Sequence, residues 1–442
     1  MHKAEKIKKE NVKRLKNSTK NVLLILFISI LLITSMISTA LPAYATATEK
    51  PVTESPAPDS DNDQKSDSET PDSESDENDV PQFDSIADAA LLIEASTGEI
   101  LYEKASNEAL PPASITKVMT LLLTFEALER GDISWDDEVY ISEDAWRIEG
   151  SKMFLMVDTK VPLSDIITGI SVVSANDGCI AVAEHISGSQ DAFVQLMNKR
   201  AQELGMTNTK FQNPHGLPAD GHRMSAKDIA TLARELIVKH PKILEIESIT
   251  DFTYNEIYQV NRNPLLGVYP GADGLKTGWT EEAGYCLVGT TQRDDMRLIS
   301  VVLKTENEKE RLDASRELLD YGYQNFEIKE VISKGESLGD TDVKNGKELS
   351  VSLKTNNAVT LVIHKDKIKD VQKQLVLDED ILMAPVTKDF KVGKLDVKLD
   401  GKVLASTEVS TVQAVEKAGF FEILWREIAN FFKSLFSVSS EG

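Results

Sequence analysis

The stretch Pro111-Pro112-Ala113-Ser114-Ile115-Thr116-Lys117, with the apolar run after it at residues 118–128, constrains this chain more than any other. Two prolines stop whatever element precedes them. Val118, Leu121, Leu122, Phe125 and Leu128 then recur at helical spacing as far as Gly131, so the pattern predicts a helix beginning at or near Ser114. Lys117 stands three residues further on, on the same helical face, with its amine in reach of the Ser114 hydroxyl. A serine alcohol attacks a carbonyl only when a base takes its proton. Lysine is such a base when burial or a neighbouring cation lowers its pKa, and a helix N-terminus favours negative charge developing nearby. Ser114 is therefore a candidate nucleophile. The same pair also fits an N-capping serine followed by a solvated lysine.

At 442 residues the chain is long enough for two or three folded units, and 41% hydrophobic residues suffice for a sizeable core in each. Its net charge of −23 argues against nucleic acid as a partner, but roughly half of that charge falls in residues 46–83. That segment, rich in Asp, Glu, Ser and Pro, cannot bury enough apolar surface to offset its chain entropy and is expected to be a disordered linker. Before it come a lysine-rich stretch ending at Lys20 and an uncharged apolar run at residues 22–37. The small-x-small sites Ala43-Tyr44-Ala45 and Ala45-Thr46-Ala47 follow. Residues 1–45 read as a signal peptide, with an uncleaved membrane anchor as the alternative; either way the body of the protein is exported. Cys179 and Cys286 are expected to be buried free thiols. No histidine pair has metal-binding spacing, and neither metal nor cofactor is expected.

Folded sequence begins near residue 84. Apolar residues 89–95, the turn Ser96-Thr97-Gly98 and residues 99–103 predict a hairpin leading to the Ser114 helix. Residues 135–240 are mainly helical in pattern, clearest at 163–171, 191–204 and 225–239, the last opened by a capping-box spacing from Ser225 to Asp228. Strands return at 273–280, 284–291 and 297–304, and a helix closes the unit at 308–321. Strands at both ends with helices between imply one antiparallel sheet with an inserted helical lobe, a mixed α/β chain of the α+β kind. Residues 326–412 alternate as a small antiparallel β domain, with strands expected at 349–353, 359–363, 386–392 and 395–399 and a turn at Leu399-Asp400-Gly401-Lys402. Residues 413–442 end in an amphipathic helix. Its Phe420, Phe421, Leu424, Trp425, Ile428, Phe431, Phe432, Leu435 and Phe436 share one face. Such a face either docks on its own domain or lies in a membrane surface, and its aromatic content favours the membrane.

Two further motifs follow Ser114-x-x-Lys117. Ser174-Ala175-Asn176 ends an apolar segment of the helical lobe, and Lys276-Thr277-Gly278 lies in the strand opening the final sheet. Ser174 can relay protons, and Asn176 can bond a substrate amide and the Lys117 amine. Lys276 and Thr277 suit a substrate carboxylate, and Gly278 lets a ligand lie along the strand. Each motif is weak alone, since Ser-x-Asn recurs at Ser60. Ser-x-x-Lys and Lys-Thr-Gly occur once each, in this order and in the expected context.

With Asn213-Pro-His-Gly-Leu217, Asp273-Gly-Leu-Lys-Thr-Gly278 and Ala283-Gly-Tyr-Cys-Leu287 added, residues 84–325 resemble the D-alanyl-D-alanine carboxypeptidases among the low-molecular-mass penicillin-binding proteins. The β domain and amphipathic tail look like that family's C-terminal parts. The resemblance implies a β-lactamase/transpeptidase-like fold and removal of the last D-alanine from peptidoglycan stem peptides ending in D-Ala-D-Ala. It implies acylation by β-lactams and a place at the outer face of the cytoplasmic membrane, in the cell wall compartment. By resemblance Ser114 is the acylated nucleophile and Lys117 its base, with Ser174 and Asn176 completing the proton network. Lys276 and Thr277 hold the terminal carboxylate, and the N–H groups of Ser114 and Trp279 form the oxyanion hole. Arg262 and Arg311 fall where relatives carry arginines near substrate, with structural ion pairing as the other reading. Glu149-Gly150-Ser151-Lys152-Met153 borders the cleft, and His215 shapes a loop. A β-lactamase would need a further deacylating glutamate, and no Glu-x-x-Leu-Asn lies between Asn176 and Lys276. A non-catalytic wall-binding or penicillin-sensing module is the third reading, and the complete motifs argue against it.

Overall fold

The computed structural model describes residues 84–437, with side chains to residue 430. The expected signal peptide and acidic linker lie outside the described residues. Ala89–Glu94 (β1) and Ile100–Lys104 (β2) form the antiparallel hairpin read from the sequence. Its turn is held by the Glu94 carboxylate, which accepts from the Ser96 and Thr97 N–H groups at 2.9 and 2.8 Å. A 3-10 turn, Ala113–Thr116, then leads into Lys117–Arg130 (α1), which ends at Gly131 in the left-handed conformation, φ 74°. Ser114 lies inside that turn and caps nothing, so the capping alternative falls.

The helical lobe is built from Glu143–Arg147 (α2), Leu163–Val172 (α3), Asn176–Ser187 (α4), Gln190–Glu203 (α5), Ala226–Lys239 (α6) and Ile243–Glu247 (α7). Between them run a ribbon, Glu138–Tyr140 (β3) with Lys160–Pro162 (β4), and a hairpin, Asp251–Tyr254 (β5) with Ile257–Val260 (β6). The capping box before α6 is half formed. Ser225 accepts from the Asp228 N–H at 3.2 Å, but the Asp228 carboxylate turns away to Asn208 and Thr209. Ala272–Thr280 (β7), Gly284–Arg293 (β8) and Met296–Thr305 (β9) complete an antiparallel sheet of order β2-β1-β9-β8-β7. The two ends of the unit meet in this sheet, as the strand pattern implied. One face packs on α6 and α7, which share a core with the rest of the helical lobe, and the other on Leu318 and Leu319 of Glu308–Asn325 (α8). Covered on both sides, β1 is buried at every residue. Edge strand β7 borders the Ser114 turn.

The C-terminal unit pairs Phe326–Ile332 (β10) with Val359–His364 (β13). Ser337–Lys344 (β11), Ser350–Thr355 (β12), Gln372–Leu377 (β14), Ile381–Met383 (β15), Lys391–Leu399 (β16) and Lys402–Thr411 (β17) form a second sheet, order β14-β16-β17-β12-β11-β15. Asp400 and Gly401, with φ of 50° and 78°, make the expected tight hairpin turn. Two expectations fail. β11 pairs β15 in parallel, so the unit is not wholly antiparallel. Residues 386–390 are a loop with a single bridge from Val386 to Val415, closed by the Thr411 hydroxyl, which takes the Phe390 N–H and donates to the Thr387 carbonyl. Phe420–Ser437 (α9) closes the described chain.

Candidate active site

The Ser114 turn is held from three sides. The Thr116 hydroxyl bonds the Ala113 carbonyl and the His222 ring at 2.8 Å each. From β7, Gly278 comes so close that a Cβ there would lie 3.0 Å from the Pro112 oxygen and 3.1 Å from the Ser114 nitrogen. The glycine therefore lets the strand approach the nucleophile turn, a role the sequence reading did not foresee beside the flat ligand path expected. On the third side a Cβ at Gly216 would fall 1.9 Å from the Ala113 oxygen, and φ there is 89°.

The Asn213–Leu217 turn is folded by Asn213, whose amide oxygen takes the Gly216 N–H at 2.7 Å and whose nitrogen donates to the Leu217 carbonyl at 2.9 Å. Thr120 of α1 fastens it through the Pro214 carbonyl at 2.6 Å. The result presents the His215 carbonyl to Lys117. Burial first, then the Lys117 charge, push the His215 imidazole down to about 3, so it stays neutral and shapes the loop as expected.

Lys117 is fully buried, and its Nζ donates to Ser114 Oγ at 2.9 Å, Asn176 Oδ1 at 2.7 Å and the His215 carbonyl at 2.5 Å. Burial above all lowers its pKa from 10.5 to about 8. At neutral pH roughly a tenth of the amine is then unprotonated, against about one part in 3,000 for an ordinary lysine. Asn176 opens α4, and its amide nitrogen is tied to the Glu149 carbonyl at 2.7 Å. Ser174 stands before it with φ 61°, its hydroxyl buried and without a hydrogen-bond partner among the described residues.

A cleft of about 1240 Å³ opens in front of these groups. Ser114, Ser174, Asn176, Arg262, Thr277, Gly278, Trp279 and Arg311 all reach its wall, with Lys117 and Lys276 buried behind. Trp279 is exposed, with its ring 5.9 Å from that of Tyr285. Arg262 donates to Ser151 Oγ at 2.8 Å, which ties it to the Glu149–Met153 segment. Arg311 is buried over the Tyr285 ring, its Nε without a hydrogen-bond partner among the described residues and Glu308 3.9 Å away. Both cysteines are buried free thiols, and burial pushes the Cys179 thiol up to about 12. Sequence reasoning missed Asp177, whose buried carboxylate takes the Met153 and Leu155 N–H groups at 3.1 and 3.0 Å and fixes the cleft rim. Its place beside Ser174-Ala175-Asn176 was the available signal.

A hydroxyl bonded to a desolvated lysine, at the mouth of a cleft walled by cations, is the equipment of a serine hydrolase that acts on anionic acyl substrates. Residues 75–307 match the family model described as D-alanyl-D-alanine carboxypeptidase, and residues 326–417 match the C-terminal domain of penicillin-binding protein 5. The D-alanyl-D-alanine carboxypeptidase DacF of Bacillus subtilis (strain 168) is 39% identical over 359 residues, covering 78% of this chain and 90% of that one. Penicillin binding protein 5 of Haemophilus influenzae aligns with TM-score 0.69 and 37% identity, over 76% of this chain and 100% of that one. The ampicillin-bound form of penicillin-binding protein D2 from Listeria monocytogenes aligns with TM-score 0.51 and 32% identity, over 55% of this chain and 100% of that one. The chain belongs to the D-alanyl-D-alanine carboxypeptidases of the serine penicillin-binding family.

Proposed function

We propose that residues 84–325 carry out the carboxypeptidase reaction on peptidoglycan stem peptides through an acyl-enzyme on Ser114. The observation that carries this reading is the 2.9 Å bond between Ser114 Oγ and the fully buried Lys117 amine. Neutral Lys117 takes the Ser114 proton as Oγ attacks the carbonyl between the two terminal D-alanines. The Ser114 and Trp279 N–H groups receive the oxyanion, while Thr277, Lys276, Arg262 and Arg311 draw in the terminal carboxylate. As the tetrahedral carbon collapses, the departing D-alanine amine takes a proton from the Lys117 ammonium through the Ser174 hydroxyl. Water then cleaves the ester and restores Ser114. A β-lactam amide acylates the same serine but cannot shed its leaving group, which suits the ampicillin carried by the Listeria relative.

Residues 326–412 serve as a spacer domain and residues 413–442 as a membrane-surface anchor, on an exported chain facing the cell wall. Phe420, Phe421 and Trp425 are 74%, 82% and 72% exposed, while Arg426 on the opposite side donates to the Gly346 and Lys347 carbonyls of the β domain. Over the described side chains Arg426 docks, and Phe420, Phe421 and Trp425 are left free. Among the described residues no helix is long and apolar enough to cross a membrane.

The test incubates the protein with a fluorescent penicillin and, separately, with diacetyl-L-lysyl-D-alanyl-D-alanine. A stable adduct on Ser114 and release of D-alanine, both abolished in Ser114→Ala, are expected. An adduct without D-alanine release would move the chemistry to another bond, and no adduct at all would sink the mechanism.

A further inference from the structure

Lys276 sits where an ammonium is hard to keep. It is buried, and among the described residues its only hydrogen bond is to the Thr277 carbonyl at 3.2 Å. Lys117 of α1 and Arg262 both act on it as like charges. Against them stands one carboxylate that the motifs do not include. Glu247, the last residue of α7, is 1% exposed, and neither of its oxygens has a hydrogen-bond partner within bonding distance among the described residues. Its Cβ lies 3.5 Å from where a Cβ of Gly274 would be. Gly274 stands opposite Thr290 and Lys276 opposite Val288, two residues apart on β8, so both positions share one face of the sheet. Glu247 therefore lies on the Lys276 side of β7, under the helical lobe and behind the cleft wall.

We propose that Glu247 is a positioning residue for the carboxylate end of the cleft: its buried charge keeps Lys276 protonated behind Thr277 and sets the alkaline limit of acylation. The inference rests on the reading of Lys276 as part of the carboxylate site. Burial pushes Glu247 up and Lys276 down, and each partner's charge opposes that push on the other. The groups facing the pair are few. α3 offers the Ser171 hydroxyl to Glu247, α1 and the segment after β6 offer Lys117 and Arg262 to Lys276, and α4 offers Cys179. Helix α6, which packs on α7, places no charge on Glu247. Without the glutamate the ammonium would face two cations and no carboxylate, and it would shed its proton at lower pH.

The experiment measures kcat and KM for D-alanine release, and the second-order rate of penicillin acylation, from about pH 5 to about pH 10. It compares the full chain with Glu247→Gln and Glu247→Asp. In Glu247→Gln the alkaline limb should move down by about one pH unit, so that near pH 9 kcat/KM falls about tenfold, mostly through KM, with little change near pH 6. Glu247→Asp should recover most of the difference. Superimposable profiles, or an equal loss at every pH, would overturn the proposal, because a packing defect has no pH signature. If Glu247→Gln does not fold, the unaltered protein decides. The 13Cε signal of Lys276 and the 13Cδ signal of Glu247 should titrate as a linked pair, and two independent titrations would overturn it. If the peptide releases no D-alanine, the carboxypeptidase reading fails separately, while the penicillin profile and the carbon titrations still judge Glu247.

Discussion

At the scale of single residues the proposed chemistry turns on Lys117. Its folded pKa of about 8 lies below the ordinary 10.5, so penicillin acylation should rise with pH as the amine loses its proton, until the alkaline limb set by Lys276 turns it over. Lys117→Arg keeps the charge but cannot give up a proton. It should lower the acylation rate by about 10²–10⁴ across the whole range and leave a bound but unreacted penicillin. A Lys117→Arg variant that acylates at near-normal rate would remove the lysine from the base role. The same burial acts on stability with a definite sign. The unfolded chain holds this proton more tightly, so the cost to folding is full below about 8 and fades as pH rises toward 10.5. Ser114, Lys117, Asn176 and Thr277 were legible because fixed spacing on a helix or strand translates directly into a shared face. Glu247 was not, since in Ile243-Leu244-Glu245-Ile246-Glu247 the two acids read alike, and only the fold decides that Glu245 is exposed and Glu247 buried. The close approach at Gly278 was also hidden, because its neighbours are the backbones of Pro112 and Ser114, far earlier in the chain.

At the scale of elements, the cleft rim depends on how one loop is tied to one helix. The Asp177 side chain on α4 accepts the N–H groups of Met153 and Leu155, and Phe154 between them has φ 65°. That conformation is strained for a bulky residue and persists only while the carboxylate holds it. Asp177→Ala strands two buried N–H groups and should cost about 2–4 kcal/mol of stability, read as a lowered unfolding midpoint. It should also slow acylation, since residues 149–151 of the same loop bond Asn176 and Arg262. Unchanged stability would mean that the loop finds other partners. The sequence showed the longer helices and the sheet strands, which repeat their pattern over many residues. It did not show α4 as a separate helix, because its first two turns, Asn176 to Ala183, are buried all round and carry no one-sided stripe. Nor did it show the three-residue strands β3, β4 and β15, which are too short for any alternation to register.

At the scale of the whole molecule, the proposed function gives the catalytic unit, the β domain and the final helix separate tasks, and the last of them makes a physical prediction. Among the described residues none of α9 lines the cleft, so changing its exposed face should leave chemistry alone. Arg426 pins the polar side to the Gly346 and Lys347 carbonyls, which turns Phe420, Phe421 and Trp425 outward from the β domain. Burying such rings in a lipid interface is worth about 2 kcal/mol each before the cost of immobilising the protein is subtracted. Replacing all three by serine should therefore cut partition to phospholipid vesicles by at least about a hundredfold, with kcat on a soluble peptide within about twofold of the original. Vesicle binding that survives the replacement would assign the attachment elsewhere in the chain. A matching fall in kcat would mean that the helix supports the cleft, and the separation of tasks would have to be given up.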